Sequence, residues 1–183
     1  MAILRQTYGD IKKLVKILKP CSYSDTNTEF CKLIPLALSL DMSNAFNSVH
    51  WGDIIECLIE DGISPYLIHI IRDFLFDRKI VDRENDIEYY YSKGIPQGSS
   101  LGPVLWLVVA DRLLIRLEAL GDQFPNLHCT MFADDILLLS AETASYKFTR
   151  NLETTIRVIE TWANDFKLAI KSTKSKFIIF PIK

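Results

Sequence analysis

Hydrophobic and polar residues alternate along the chain in a pattern that predicts short strands and amphipathic helices. The segment 33–41 (LIPLALSLD) has a period of two, which predicts a strand with one leucine face toward a core and a second face ending at Asp41. A period of 3.6 residues predicts helices in five places, namely 5–19, 51–61, 65–76, 144–167 and a segment following Pro103. Strand-like runs predict hairpins over 80–91 and over 127–132 with 136–140, and a last strand over 175–182.

The order of these elements indicates an α+β fold. A strand, helices, a long helix, a hairpin, a second long helix and a strand follow one another, which is the βαββαβ (ferredoxin/RRM-like) order of an antiparallel sheet packed on two helices. In that topology the strand ending at Asp41 lies beside the hairpin that carries Asp134 and Asp135. We therefore expect these carboxylates to share one site.

The composition is that of one domain with an ordinary core. The chain has 183 residues, 49% hydrophobic and 24% charged, and a domain of this size buries roughly 70% of its unfolded surface. Four scattered cysteines without a CxxC pair argue against a zinc site or a disulfide framework. The longest apolar run, 104–110, is far shorter than the roughly 20 residues that span a bilayer. We expect a soluble intracellular protein of the cytoplasm or nucleus, without a membrane partner.

The charges are segregated along the chain, although the net charge is only −2. Residues 1–20 hold five Lys and Arg against one acid, and residues 144–183 hold eight against three, so the ends carry +4 and +5. Residues 21–143 hold eight against nineteen, which is −11. Basic ends suit phosphates and an acidic centre suits metal ions. Taken alone, ordinary solvated faces explain this distribution at least as well.

Asp41, Asp134 and Asp135 are the candidate catalytic and metal-binding residues. Carboxylate oxygens are ligands that Mg²⁺ prefers, and two such ions about 3.5–4 Å apart can activate a 3′-hydroxyl and stabilise a leaving pyrophosphate. Three clustered carboxylates repel by about 4 kcal/mol per pair at 4 Å and an effective dielectric of 20, so they need cations. An isolated Asp-Asp pair in a hairpin is more often turn chemistry. The prediction therefore depends on the three residues converging.

The segment 94–103 (GIPQGSSLGP) predicts a loop that passes close to a nucleotide before a helix begins. Gly94 and Gly98 allow the backbone to approach a ligand, and the helix N-terminus that follows favours phosphate. Gln97 offers a donor and an acceptor to a base or sugar edge. The alternative is a plain helix entry, capped by Ser99 or Ser100.

Phe46 and Lys174 each have two interpretations. Phe46 is by default a core residue, and its alternative role is a wall beneath the sugar of an incoming nucleotide. Lys174 is by default a solvated lysine, and its alternative role is a phosphate contact or a proton donor to pyrophosphate.

Four segments carry a family resemblance: SLDMSNAFNSVHW, GIPQGSSLGPVLW, FADDILLL and KLAIKSTKSKFIIF. In this order and spacing they resemble the palm of reverse transcriptases, most of all those of non-LTR (LINE-like, jockey-type) retrotransposons. The resemblance covers residues 33–183. It implies an RNA-directed DNA polymerase that uses an RNA template, a DNA primer and deoxynucleoside triphosphates, with two Mg²⁺ ions for which Mn²⁺ can substitute.

The resemblance also implies a role for each matching position. The metal-binding triad would be Asp41, Asp134 and Asp135. Gln97 and Gly98 would contact the template and the nucleotide, and Phe46 would be the gate against a 2′-hydroxyl. Ala133 would lie near the primer terminus, and Lys174 would be the lysine near the triphosphate. Three positions near the motifs depart from the usual residues of the family, namely Asn44, Asn47 and Lys171.

The resemblance predicts two parts of unequal character. Residues 1–32, a helix and a loop, do not resemble the family's fingers, whereas 33–183 form a palm with incomplete fingers and no thumb. Two rivals to the polymerase remain: a catalytically inactive, truncated remnant that acts as a nucleic-acid-binding or interaction module, and another palm-type phosphoryl transferase such as a nucleotide cyclase. A cyclase works without a primer, and the 94–103 loop argues against it.

Overall fold

The structure, a computed structural model, describes residues 33–121, 123, 124, 126–143 and 146–180. The helix predicted over 5–19 and the loop after it lie outside these residues. In chain order the elements are β1 (Leu33–Ser43), α1 (Ala45–Ser48), α2 (Trp51–Glu60), α3 (Pro65–Leu75), β2 (Lys79–Asp82), β3 (Ile87–Tyr90), α4 (Gly102–Glu118), β4 (Leu127–Phe132), β5 (Asp135–Thr143), α5 (Tyr146–Asp165) and β6 (Ala169–Ile179).

A four-stranded antiparallel sheet in the order β4-β5-β1-β6 forms the centre of the fold. Two long helices, α4 and α5, connect its strands and pack on it, which confirms the predicted α+β sandwich with βαββαβ order. As predicted, β1 lies next to the hairpin β4–β5, so the chain brings together strands far apart in sequence.

The core lies between one face of this sheet and the helices. The leucine face of β1 is buried as predicted, and across β5 the paired residues Ile136 and Leu138 are fully buried. From the helices, Trp106 of α4 and Trp162 of α5 are fully buried. The Trp162 indole N–H donates to the Val109 carbonyl oxygen at 3.1 Å, which satisfies its polar atom inside the core and joins the two helices.

Strand β6 is longer than the pattern predicted, since it begins at Ala169 rather than at residue 175. Its first half alternates exposed and half-buried residues and carries lysines on the exposed side, so no apolar run marks it. Between Ser39 and Asp41 its pairing with β1 shifts: Ser39 lies opposite Lys176, but Asp41 lies opposite Lys171. This bulge places extra residues of β6 beside the end of β1, next to Asp41.

A separate two-stranded sheet, β2–β3, confirms the hairpin predicted over 80–91. All but one of its strand residues are exposed, and Lys79 donates to a Glu88 carboxylate oxygen at 2.6 Å across the pair. The short helix α1 was not predicted, because four residues are too few to show a helical period.

The thiols described by the structure, Cys57 and Cys129, are free. Burial raises the pKa of the Cys129 thiol to about 11. Across the described part of the chain, no helix combines the length and the apolar character that crossing a bilayer requires.

Candidate active site

Asp41 and Asp135 lie directly opposite each other on adjacent antiparallel strands. Residues paired in this way have Cβ atoms about 4.5–5.5 Å apart and point to the same face of the sheet. Their neighbours Leu40 and Ile136 are also paired, and both are buried in the core. Since successive residues alternate between faces, the two carboxylates occupy the face turned away from the helices.

The tight turn Ala133–Asp134 connects β4 to β5 beside this pair. Asp134 stands in the turn, whereas Asp135 already belongs to the strand, one residue earlier than the sequence pattern placed the strand start. Ala133 has a φ of 53°, a left-handed conformation that costs free energy for a residue with a side chain. Its carbonyl oxygen accepts a hydrogen bond of 2.6 Å from the Trp106 indole N–H, which fixes the turn to helix α4.

The Trp106 ring also supports Phe46. The two ring centroids lie 5.2 Å apart with an interplanar angle of 29°, which is a stacked arrangement. Phe46 is half-buried, so it packs against the core while part of its side chain stays accessible. One tryptophan therefore holds both the turn that carries Asp134 and the candidate gate residue, and the sequence analysis did not single it out. Its signal was present: a tryptophan four residues into the helix that follows the glycine-rich loop.

The loop 94–103 is attached at its root to the segment that follows Asp41. The Ile95 N–H donates to the Phe46 carbonyl oxygen, and the Gly94 N–H to that of Val49, each at 2.7 Å. Gly94 has a φ of 91°, and a Cβ atom on it would lie 3.1 Å from the backbone of Asn47. Gly94 therefore permits a close approach to the backbone of Asn47, whereas the sequence analysis expected an approach to a ligand.

The outer half of the loop is accessible. Gln97 and Gly98 are exposed, and Gly98 adopts a φ of 81° with open space around it. The Ser99 hydroxyl accepts a 2.9 Å hydrogen bond from the Gly102 N–H at the start of helix α4. The N-cap residue itself is Leu101, which makes no side-chain cap bond, so the predicted capping by Ser99 or Ser100 is wrong in its position. The loop therefore leads directly into helix α4 and also leaves Gln97 and Gly98, the predicted nucleotide contacts, accessible.

Lys174 reaches Asp41 across the bulge of β6. Its ammonium nitrogen lies 3.6 Å from an Asp41 carboxylate oxygen, and the Asp41 side chain is 20% exposed against 61% for Lys174. Lys171 is the residue directly opposite Asp41 on β6. Two lysines therefore flank a carboxylate whose other neighbour is Asp135, and the position of Lys171 escaped prediction because it depends on the bulge.

The donor chemistry of this face suits a hard cation, because it presents carboxylate oxygens. In the part of the chain that the structure describes, however, no three His, Cys, Asp or Glu side chains converge into a metal-holding group. Asp41 faces Asp135 and forms an ion pair with the Lys174 ammonium. The structure thus juxtaposes two of the predicted ligands, with the third in the adjoining turn.

Comparison with known proteins decides the family. The model of the family described as reverse transcriptase (RNA-dependent DNA polymerase) matches residues 6–181. The chain belongs to the reverse transcriptase family. The match starts at residue 6, inside the segment 1–32 that was not expected to resemble the family. The domain boundary at residue 33 stays a prediction.

Curated relatives narrow the reverse transcriptase assignment to retrotransposons, as the motifs predicted. The RNA-directed DNA polymerase from mobile element jockey of Drosophila funebris is 26% identical over 144 residues, covering 77% of this chain and 16% of that protein. The retrovirus-related Pol polyprotein from type-1 retrotransposable element R2 of Popillia japonica is 32% identical over 114 residues, covering 56% of this chain and 18% of that protein. The chain thus spans less than a fifth of the length of these two relatives.

Solved structures agree on the fold. Telomerase from Candida tropicalis, in complex with a fragment of telomeric RNA, superposes with a TM-score of 0.65 at 10% identity, covering 96% of this chain and 29% of that one. Telomerase from Candida albicans gives 0.64 at 12% identity, covering 97% and 30%. At this identity the similarity establishes the reverse transcriptase palm fold alone.

Proposed function

We propose that this domain catalyses RNA-directed DNA synthesis as the palm of a retrotransposon-derived reverse transcriptase. The observation that carries the proposal is the register that sets Asp41 opposite Asp135, next to the turn that holds Asp134. Family membership supplies the reaction class. The substrates would be an RNA template, a DNA primer and deoxynucleoside triphosphates.

Asp41, Asp134 and Asp135 would hold the divalent cations of the reaction. Two Mg²⁺ ions, or Mn²⁺ in their place, would when bound supply the activation of the primer 3′-hydroxyl and the stabilisation of the leaving pyrophosphate. The three carboxylates would fix the positions of the bound cations, and positioning supplies much of the rate in such reactions. Support for this role is the accessible sheet face on which Asp41 and Asp135 lie.

Lys174 would bind the triphosphate. Its ammonium nitrogen lies 3.6 Å from an Asp41 carboxylate oxygen, and its side chain is largely exposed. A cation at that position attracts phosphate oxygens and can give a proton to pyrophosphate as it leaves. The pairing with Asp41 keeps the lysine at the site before substrate arrives.

The remaining roles belong to residues around the Trp106 ring and on the loop. Phe46, stacked on Trp106, would form the wall that excludes a 2′-hydroxyl. The accessible Gln97 and Gly98 would contact the template and the nucleotide. Ala133, in the turn fixed by Trp106, would lie next to the primer terminus.

Primer extension tests the catalytic role. On poly-rA with an oligo-dT primer and Mg²⁺ or Mn²⁺, we expect the chain to incorporate dTTP. Asp134→Asn should lower the rate by about a hundredfold or more, because metal-held charge in the transition state is worth several kcal/mol.

The matched control is Asp86→Asn. Asp86 lies in the turn of the β2–β3 hairpin with a φ of 54°, a conformation that asparagine tolerates well, so the same chemical change should leave the rate unaltered. Equal incorporation by the parent chain and by Asp134→Asn would refute the catalytic proposal.

A non-catalytic, nucleic-acid-binding role is the second candidate, and the pairing of Asp41 favours it. The Lys174 ammonium supplies a cation to a carboxylate that the polymerase reaction assigns to a metal ion. If this pair is permanent, Mg²⁺ and Mn²⁺ will not change the ¹³C carboxyl resonance of Asp41, and extension will be absent while RNA still binds. A metal-dependent shift of that resonance would favour the polymerase.

The gate role of Phe46 has its own test. We expect Phe46→Val to admit ribonucleotides, so that the ratio of kcat/KM for dTTP to that for UTP falls about tenfold or more. Using the ratio removes any general loss caused by disturbing the stack on Trp106. An active variant with an unchanged ratio would show that Phe46 has only its packing role.

A further inference from the structure

An open cleft of about 570 Å³ lies beside the root of the 94–103 loop. The start of α2, the end of α3, the base of the β2–β3 hairpin and Lys167 line it. Its volume is in the range of sites that bind small ligands. None of the candidate active-site residues lines it, so the cleft is separate from the candidate active site.

The floor of the cleft is an aromatic cluster in fixed orientation. Trp51 is 3% exposed, and its indole N–H donates to the Gly94 carbonyl oxygen at 2.7 Å. The Phe76 and Tyr91 rings lie 5.5 and 5.4 Å from it. Tyr90, which is 67% exposed, adds a further ring at the lining. The accessible rings of the cluster are therefore Phe76, which is 44% exposed, and Tyr90, and exposed aromatic rings are stacking platforms for nucleobases.

One carboxylate oxygen in the cleft lacks a hydrogen-bond donor in the described residues. The Asp53 Oδ2 atom is buried and, within the described part of the chain, accepts no hydrogen bond. The Lys167 ammonium lies 3.9 Å from this oxygen. A buried acceptor without a donor costs free energy. The Asp53 side chain as a whole is 24% exposed, so a ligand in the cleft that presents N–H groups to this carboxylate would satisfy it.

The charges of the cleft favour a base over a phosphate. Its lining carries two acids, Asp53 and Asp77, and two cations, Arg78 and Lys167, so these groups cancel. The Arg78 Nε donates to the Phe74 carbonyl oxygen at 2.6 Å, and its guanidinium lies 4.4 Å from the centroid of the Phe74 ring. Binding should therefore come from stacking and from the base edge, with little dependence on salt.

We propose that this cleft binds an unpaired nucleobase of a single strand, with guanine preferred. Guanine presents two adjacent N–H donors, N1–H and N2–H, to a carboxylate. Cytosine and adenine present one amino group beside an acceptor, and uracil presents one N–H between two carbonyls that repel the carboxylate. The proposal rests on the proposed function only in requiring a nucleic acid next to the 94–103 loop, since Trp51 joins the cleft floor to Gly94.

Fluorescence anisotropy in EDTA, without nucleotides, tests this binding apart from catalysis. The probes are labelled RNAs of eight nucleotides, one all uridine and the other with a single central guanosine. We expect the guanosine RNA to bind about tenfold more tightly, because stacking and hydrogen bonding of one base are worth about 1–3 kcal/mol. The ratio should change little between low and moderate salt.

Two variants and a matched control locate the effect. Asp53→Asn should reduce the guanosine preference to about twofold or less, and Tyr90→Ala should weaken the guanosine RNA about fivefold. Tyr89→Ala should leave both affinities unchanged, because Tyr89 is similarly exposed on the same strand but lies outside the cleft. Equal binding of the two RNAs by the parent chain, or equal losses for Tyr89→Ala and Tyr90→Ala, would overturn the proposal.

Competition with free mononucleotides distinguishes the source of the base. Displacement of the guanosine RNA by GMP but not by UMP supports recognition of the base without a strand. A retained guanosine preference with displacement by neither supports recognition within a strand only. A guanosine preference in a chain that fails primer extension leaves the cleft proposal standing, and extension without that preference leaves the polymerase proposal standing.

Discussion

The molecule contains two antiparallel hairpins with opposite relations to the core. Hairpin β4–β5 is part of the central sheet, buries Ile136 and Leu138, and has its turn fixed by Trp106. Hairpin β2–β3 exposes nearly all its strand residues and is joined by contacts within itself, such as Lys79 with Glu88. Two of the three candidate carboxylates, Asp134 and Asp135, lie on the first hairpin, and the third, Asp41, lies on the strand paired with it.

The difference shows what positions a functional side chain. A two-stranded hairpin alone is marginally stable in water, so its turn has no fixed place relative to the rest of a site. In β4–β5 the buried strand faces and the Trp106 hydrogen bond tie the turn to helix α4. We infer that the precision of the Asp134 position derives from α4 and not from the hairpin.

The largest effect is expected from removing Trp106, which holds the β4–β5 turn to helix α4 and has no counterpart at the β2–β3 hairpin in the described contacts. Trp106 is 1% exposed, supports Phe46 and donates to Ala133, so Trp106→Ala should lower the free energy of unfolding by about 3–5 kcal/mol. Urea denaturation followed by circular dichroism measures it.

The companion variant Trp106→Phe separates packing from the hydrogen bond. It keeps a ring under Phe46 but leaves the Ala133 carbonyl oxygen without its donor, so we expect a loss of about 1–3 kcal/mol and amide shifts concentrated at residues 132–135. If Trp106→Phe is as stable as the parent and these amides do not move, the turn is held by the hairpin itself.

A smaller effect is expected at the loop root. Gly94→Ala forces a side chain into a φ of 91° and places its Cβ 3.1 Å from the Asn47 backbone, so it should destabilise by about 1–3 kcal/mol. Gly52→Ala is the matched control, because a Cβ there meets nothing within 4 Å and alanine favours the helix by up to about 1 kcal/mol. Thermal unfolding of both variants measures the contrast; equal midpoints would contradict it.

The smallest effect is expected in the exposed hairpin. Lys79→Met should leave the urea midpoint of the whole chain unchanged, because an exposed ion pair contributes little. It should, however, move the titration of Glu88. The Lys79 hydrogen bond, with a second from Tyr90, holds the pKa of the Glu88 carboxyl below its usual value, and ¹³C NMR of that carboxyl should show the pKa rising in the variant.

The sign of the pH dependence follows from these shifts. Because the folded pKa of Glu88 is lowered, its contribution is present above the ordinary pKa and disappears as pH falls through the lowered one. The pKa of Lys79 is raised by the Glu88 hydrogen bond, so its contribution disappears as pH rises through that value. The hairpin contact should therefore be constant between about pH 5 and 10. A parent titration of Glu88 identical to that of Lys79→Met would show that the pair does not form in solution.

Much of the fold was predictable because it is written in local periodicity. The leucine alternation of β1, the two hairpins and the helices α2 to α5 appear in the structure within a few residues of their predicted bounds. The exception is β6, where polar residues and a bulge conceal the first half of the strand. In the first half of β6 the exposed residues alternate with residues that are only half-buried, so this half shows no apolar run.

The sequence by itself determined the elements, the family motifs and the residues available for chemistry, since each depends on neighbours along the chain. Only the tertiary structure decided that Asp41 faces Asp135, that Lys174 pairs with Asp41, and that Trp106 holds the turn. These contacts join residues tens to more than a hundred positions apart. Their geometry is set by strand register and helix packing, which no local pattern encodes.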